Sequence, residues 1–383
     1  MKNRLFITLD FPPENGGIQN YIYGLVTHLD PQKTVVLTSN RIGKEAFKPY
    51  DSKEKYKTYR ININNRVPLY KQLFQLLILY VYIFRITKMY KIDELHFGNV
   101  MPIGLIGPLA SKLLKVKFFP YIHGLDFLES KNSNIKHKLV NYCLRNATKI
   151  ICNSNYTKSI LIESGLEASS ITIIHPGITK KDKVSKVDKE DVLKKYMLND
   201  KFILITVGRL VKRKGHDKVI EALKEIISIN GNIKYVICGE GPERKNLEEL
   251  VKTYKLEGYV IFTGNTDSKE LESLYSIAHL FIMPNREIKE AGDVEGYGIV
   301  FLEAGIHRLP VVGGNNGGVP DAVINGETGI LIDSSDRQEI VSTIILFLKD
   351  KKILNQIGDN GYKWVSNNCL WSHRVKLLET LEG

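Results

Sequence analysis

The strongest constraint on this chain is an alternation that runs along it twice: short apolar runs of strand length, separated by turns and helical periods. In the first half, residues 5–9, 35–38, 95–97, 118–122, 149–152 and 171–174 read as strands. Helical spacing covers 18–28, 69–89, 103–114, 135–145 and 156–164, while 41–60 is basic and poorly periodic. Strands joined through helices require crossover connections, and these build a parallel, doubly wound sheet.

The stretch 180–189 (KKDKVSKVDK) is polar and aperiodic and reads as a linker. The pattern then restarts, with strands at 202–207, 235–238, 260–263, 280–283, 310–312 and 329–332 and helices at 215–229, 242–255, 269–277 and from 299. A last helix at 371–381 follows Trp364 and contains Trp371, two residues that read as packing anchors. At 383 residues, two domains are the default. The expectation is therefore two Rossmann-like doubly wound domains, 1–178 and 190–365, joined by 179–189. They would face a cleft, with a C-terminal helix at about 366–383 crossing back to the first, and ligands would lie at the strand carboxyl ends.

Charge separates the two halves. Residues 1–178 hold 24 Lys and Arg against 12 Asp and Glu, whereas 179–383 hold 30 of each, so the net +12 belongs wholly to the first half. No recognised nucleic-acid motif or interleaved aromatic-basic pattern accompanies it, so nucleic acid is not the expected partner. An anionic membrane surface or a phosphate-bearing acceptor fits the excess, and a solvated basic face without a partner is the other reading. The apolar run 73–84 (LFQLLILYVYIF) is too short by itself to span a bilayer. It reads either as a buried helix or, flanked by Lys71, Arg85 and Lys88 with tyrosines at 70, 80, 82 and 90, as a segment resting in a membrane interface. The N-terminus does not read as a signal peptide, and four cysteines without CxxC pairing fit a reducing compartment. The expected location is cytoplasmic, peripheral at the inner face of the cell membrane.

Candidate chemistry collects at strand ends. Gly16-Gly17 follows the first strand and opens a helix, without the GxGxxG spacing of dinucleotide folds. His123-Gly124 ends the strand YIHG, with Asp126 close behind, and GEGP at 239–242 and GG at 313–314 end two others. VGRLVKRKG at 207–215 places Arg209 at a strand end and Lys214 just before a helix, where two fixed cations can neutralise a diphosphate. Residues 293–303 (DVEGYGIVFLE) place Glu295 and Glu303 eight apart across a Gly-Tyr-Gly elbow. On a helix, eight residues advance about 12 Å and return the side chains to within roughly 80° of each other. The helix N-terminus between them favours an anion, so the implied ligand has a phosphate in its middle and hydroxyls at both ends, as a nucleotide sugar does.

Together these residues resemble the family-4 retaining glycosyltransferases of the GT-B fold, over nearly the whole chain. The resemblance rests on the GG loop at 16–17, HG at 123–124, NSNYTK at 153–158, IHPGI at 174–178, GRLVKRKG, GEGP, the E-x7-E of EGYGIVFLE and GGVPDAVINGETGILI. It implies that Arg209 and Lys214 grip the donor diphosphate, that Glu295 meets the donor sugar and Glu303 the ribose, and that His123 contacts the transferred sugar. It further implies that Gly17 approaches the diphosphate and that the backbone of Gly296, Tyr297 and Gly298 holds sugar or phosphate oxygens. The implied reaction is sugar transfer from a nucleotide-diphosphate sugar with retention, needing no metal or other cofactor, to a lipid-linked or phosphate-bearing glycan. DVEGYG is similar to the matching segment of phosphatidylinositol mannosyltransferases, which points to GDP-mannose and leaves UDP-sugars open. A sugar-phosphate synthase or phosphorylase on the same fold, or a non-catalytic nucleotide-sugar sensor, are the rival readings. The chain departs from the family at Asp321, where Glu is frequent, and in a longer loop at 285–292.

Overall fold

Parallel strands covered on both faces are written as near-continuous apolar runs, and β1 (Arg4–Thr8, RLFIT) is buried at every residue. The computed structural model describes residues 2–14, 16–41, 43–63, 69–180, 185–288 and 292–381. The chain divides into two compact units, one of Met1–Thr179 with Trp371–Gly383 and one of Lys180–Leu370.

The first unit continues through α1 (Gly17–Thr27), β2 (Thr34–Ser39), α2 (Lys44–Asp51), β3 (Lys57–Ile61), α3 (Leu69–Tyr90), β4 (Glu94–Phe97) and α4 (Gly107–Leu114). After these come β5 (Lys117–Ile122), α5 (Leu125–Ser130), α6 (Asn134–Arg145), β6 (Ile150–Cys152), α7 (Asn155–Glu163) and β7 (Ile171–Ile173). Among the described residues its strands form one parallel sheet of order β3-β2-β1-β4-β5-β6-β7. Strand order reverses between β1 and β4, where Phe6 lies level with both Val36 and His96. Loops leaving the carboxyl ends of such a strand pair diverge and leave a crevice, so the ends of β1 and β4 are where this unit can hold a ligand.

The second unit runs α8 (Lys186–Lys195), β8 (Phe202–Val207), α9 (His216–Ile229), β9 (Ile233–Cys238), α10 (Arg244–Thr253), β10 (Val260–Gly264), α11 (Ser268–Ile277) and β11 (Leu280–Met283). It closes with α12 (Ile299–Ile306), β12 (Val311–Gly314), β13 (Gly329–Ile332), α13 (Arg337–Lys349) and α14 (Lys351–Asn368). Its parallel sheet has the order β10-β9-β8-β11-β12-β13, so the reversal falls between β8 and β11.

Helix α15 (Trp371–Glu379) packs on the first unit: Trp371 donates its backbone N–H to Ile178 O at 3.1 Å and sets its ring edge-on to Tyr21 at 5.6 Å. The return of the C-terminal helix matches the sequence expectation.

Several elements escape the periodicity. The basic stretch 41–60 folds into α2 and β3; α2 buries no residue, so it has no apolar stripe to read. The aperiodic 179–189 overlaps α8, whose start is fixed by the Ser185 side chain accepting from the Asp188 N–H; residues 181–184 lie outside the described set. Helices α13 and α14 fill a stretch that the sequence reading leaves unassigned. In α14 the helix-weakening Gly361 sits against Gly305 of α12, a contact that needs the missing side chains. The apolar run 73–84 belongs to a 22-residue helix, α3, which by length and composition alone could cross a bilayer. Only one of its faces is buried, through Leu79, Ile83 and Ile86, so neither the short nor the fully buried reading describes it.

Candidate active site

In the second unit the loops that follow β8 and β11 meet. After β8 the chain turns once through Lys212–Lys214 and enters α9 by way of Gly215, whose φ is +74°. A Cβ at Gly215 would strike the Pro284 carbonyl oxygen at the end of β11, so only glycine lets the loops come this close. Arg286 donates its backbone N–H to Arg213 O at 2.9 Å, and its guanidinium grips both Asp217 oxygens at 2.9 and 2.7 Å. The turn is thus fixed from two sides.

This arrangement places Lys214 Nζ 2.6 Å from Glu295 Oε2, with both residues buried. Arg213 Nη1 lies 3.6 Å from the same oxygen, and Arg213 Nε lies 3.0 Å from Asp293 Oδ1. Asn285 donates its side-chain amide to Glu295 Oε2 at 3.3 Å. Burial alone would raise the Glu295 carboxyl pKa, but Lys214 and Arg213 outweigh it and hold it below the ordinary value. The peptide of Glu295 is fixed by the Gly318 N–H at 2.9 Å, and a Cβ on Gly317 (φ +57°) would crowd the Glu295 carbonyl.

Gly296, Tyr297 and Gly298 then lead into α12. Gly298 is its N-cap and no side chain caps the helix, leaving the first amides to an outside acceptor. Glu303 lies further along α12, half-buried, and accepts from the Tyr275 O–H at 3.0 Å. Arg209 is exposed, and among the described residues its guanidinium has no carboxylate partner.

In the first unit, Gly17 opens α1 with no side-chain cap, and a Cβ there would point into open space. Nothing in the fold itself requires glycine at that position. His123 sits at the end of β5 with its ring edge-on to Tyr21 of α1 at 5.3 Å and Nε2 3.2 Å from Gly98 O, just past β4. Burial lowers its pKa, against the opposing pull of Asp126, so the ring is neutral and Nε2–H donates to the carbonyl. Asn153 donates to His123 O at 3.2 Å, which gives the NSNYTK segment a role in fixing this loop.

The structure therefore joins Lys214 and Glu295 directly and puts Gly296–Gly298 beside them. Arg209 and Glu303 stand on flanking elements without touching that pair, while Gly17 and His123 belong to the other unit. Sequence reasoning assigned no role to Arg213, Asn285, Asp293 or Tyr275. Arg213 and Asp293 lay within the quoted motifs, but Asn285 and Tyr275 carried no local signal. Residues 289–291 of the loop after β11 lie outside the described residues; the Ile288 and Asp293 backbones pair across its base.

Two family models match the chain: "Glycosyltransferase Family 4" over residues 15–181 and "Glycosyl transferases group 1" over 188–364. A GDP-mannose-dependent alpha-(1-6)-phosphatidylinositol monomannoside mannosyltransferase of Mycolicibacterium smegmatis is 29% identical over 99% of this chain and 98% of its own. The capsular polysaccharide biosynthesis glycosyltransferase CapM of Staphylococcus aureus is 28% identical over 72% of this chain and 74% of its own. Among solved structures, Anabaena HepE in complex with UDP superposes with a TM-score of 0.81 at 19% identity, covering 99% of this chain and 98% of that one. Two Rossmann-like parallel-sheet units with these neighbours define a glycosyltransferase of the GT-B fold. Within that class, the chain belongs to glycosyltransferase family 4.

Proposed function

We propose that the protein transfers a hexose from a nucleotide-diphosphate sugar, GDP-mannose or a UDP-hexose, to a hydroxyl of a lipid-linked or polysaccharide acceptor in cell-envelope glycan synthesis, with retention at the anomeric carbon. The observation that carries this reading is the buried Lys214–Glu295 contact beside the uncapped N-terminus of α12. A lysine, a free arginine and open amides are suited to a diphosphate, and a carboxylate three residues before the helix N-cap is suited to sugar hydroxyls.

In this mechanism the donor diphosphate takes Lys214 and Arg209 as counter-ions, and the first α12 amide N–H groups donate to its oxygens. Stabilising the charge that develops on the departing diphosphate lowers the barrier without a side-chain nucleophile. Glu295, kept ionised by Lys214 and Arg213, accepts hydrogen bonds from the sugar, and Glu303 accepts from the ribose. Gly17 leaves room at the start of α1 for a diphosphate oxygen, and neutral His123 contacts the transferred sugar. Retention follows if the departing phosphate oxygen takes the acceptor proton on the same face of the sugar. No step is assigned to a metal or cofactor. The basic first unit suits a phosphate-bearing or lipid-linked acceptor at the inner face of a membrane.

The relatives' names favour GDP-mannose as the first donor to try. A thermal-shift panel of UDP, GDP, ADP and their sugars would identify the donor, because a bound ligand stabilises by mass action. Transfer or hydrolysis assays with the stabilising donor, with and without a chelator, then test activity and metal independence. A donor that binds but is never turned over would favour the sensor reading, and turnover only with inorganic or sugar phosphate would favour a phosphorylase or sugar-phosphate synthase.

A further inference from the structure

Helix α3 is apolar on the wrong side. A helix covering a sheet normally turns its apolar stripe inward and a polar face to water. Here Leu79, Ile83 and Ile86 fill the core, yet Leu73, Phe74 and Leu77 on the opposite face are 62, 63 and 60% exposed, and Val81 and Phe84 extend the same stripe.

Two neighbouring helices repeat the pattern. The connections β3 to β4, β4 to β5 and β5 to β6 advance in one direction across the sheet, so right-handed crossovers put α3, α4 and α6 on one face. Helices α3 and α4 pack together, and both meet the turn Ile103–Ile106, which also contacts α6. On α4 the exposed apolar residues are Leu109 and Leu113; on α6 they are Ile135, Leu139 and Tyr142, at helical spacing.

The charge on these helices is one-sided. None of the three contains an Asp or Glu, while exposed cations stand among the apolar groups: Arg85 and Lys88 on α3, Lys112 on α4, Lys136 and Lys138 on α6. Exposed apolar residues on three neighbouring helices of one face call for an occupant, and ones whose charged neighbours on those helices are all cations call for an anionic one.

We propose that the outer face of α3, α4 and α6 is a membrane-docking surface that seats the first unit on an anionic lipid bilayer. Its apolar side chains enter the boundary between headgroups and acyl chains, and its lysines and arginines meet lipid phosphates. α3 does not cross the bilayer, because its inner residues Leu79, Ile83 and Ile86 are part of the core of the first unit. The proposal deepens the reading of a lipid-linked acceptor, since docking would bring the unit to a substrate held in the membrane. It can nonetheless fail independently of that reading.

The test uses the full chain and no donor or acceptor. Co-sedimentation is measured with phosphatidylcholine vesicles with and without about one-third phosphatidylglycerol, at low salt and at about 0.5 M salt. Binding is expected to require the anionic lipid and to weaken with salt. Combining Phe74→Ser, Leu77→Ser and Phe84→Ser is expected to weaken it by at least about tenfold, with the melting temperature and donor-induced thermal shift unchanged. Changing Met197→Ser and Ile229→Ser, at exposed apolar positions of the second unit, should leave binding intact. The proposal is overturned by absence of binding to anionic vesicles, or by undiminished binding of the triple variant. A wild-type dimer in ultracentrifugation that the triple variant abolishes would overturn it too, assigning the face to a second copy of the chain. Loss of vesicle binding with donor turnover retained would leave the transfer reading standing, and the converse result would leave the docking surface standing.

Discussion

Lys214 and Glu295, 81 residues apart in sequence, form an ion pair of 2.6 Å in which both residues are buried. Such a pair is a poor source of stability, because taking both charges out of water costs about what their attraction returns. Its value lies in pre-organisation: the lysine is held at a fixed point beside the α12 entrance, and the carboxylate is held ionised.

Lys214→Ala is therefore expected to lower turnover by about a hundredfold or more, on the order of 3 kcal/mol of transition-state stabilisation. The stability loss should fall short of the roughly 3–5 kcal/mol typical of a broken buried pair, because Arg213 at 3.6 Å continues to face Glu295. Steady-state kinetics and denaturant unfolding of the same variant separate the two effects. Near-normal turnover would remove Lys214 from the mechanism.

Glu303 has a different expected signature. A ribose contact binds ground and transition states alike, so Glu303→Ala should raise the donor KM more than it lowers kcat. Tyr275→Phe deletes the 3.0 Å hydrogen bond that orients Glu303 and should produce a milder version, with KM rising several-fold for about 1 kcal/mol. A fall in kcat alone in either variant would contradict the ribose assignment.

The two halves of this site were unequally legible. Lys214, Glu295 and the α12 entrance could be read because each lies in a short motif at a strand-to-helix junction, where local sequence dictates local geometry. Asn285 and Tyr275 could not, since their roles arise only when the ends of β11 and α11 are brought against α12 by the sheet order. The same distinction holds for the fold. Strands β1 and β8 are announced by apolar runs buried on both faces. Helix α2 is all surface, and α14 carries glycines placed for contact with its neighbours, so propensity and pattern were misleading there. For α3, periodicity showed a helix but not which of two apolar sides faced inward.

A buried network in the first unit sets an acid limit on stability. Glu94 accepts from Arg4 Nε at 2.8 Å and lies 3.3 Å from His96 Nε2; the His96 ring is stacked between Phe6 and Phe119. Burial alone would raise the Glu94 pKa, but His96, Arg4 and Lys2 bring it down to about 2. Burial lowers the His96 pKa against the pull of Glu94, so we take the ring as neutral, donating to the carboxylate. Both folded-state values lie below the unfolded ones, so both groups stabilise at neutral pH and lose that contribution on acidification. The His96 share should begin to fade below about pH 6.5, and the Glu94 share below about pH 4.5 and on toward pH 2. Glu94→Gln should flatten the lower part of a melting-temperature profile against pH; an unchanged slope there would show that the carboxylate is not responsible.

The last prediction concerns the helix that returns to the first unit. Gly24 lies in the interior of α1, where glycine costs roughly 1 kcal/mol relative to alanine, and its position is explained by Trp371: a Cβ at Gly24 would run into the indole ring. Trp371 is 4% exposed and also packs against Tyr21, whose hydroxyl donates to Ile174 O at 2.7 Å. Emptying this socket with Trp371→Ala should cost about 3–5 kcal/mol, as large-to-small core changes do, and should loosen α15. Gly24→Leu should have a comparable effect from the opposite side, by displacing the indole without removing it. Limited proteolysis reads the outcome directly, through early cleavage near residue 370 in both variants and not in the wild type. If both retained wild-type protease resistance and denaturant midpoints, α15 would not be anchored through Trp371.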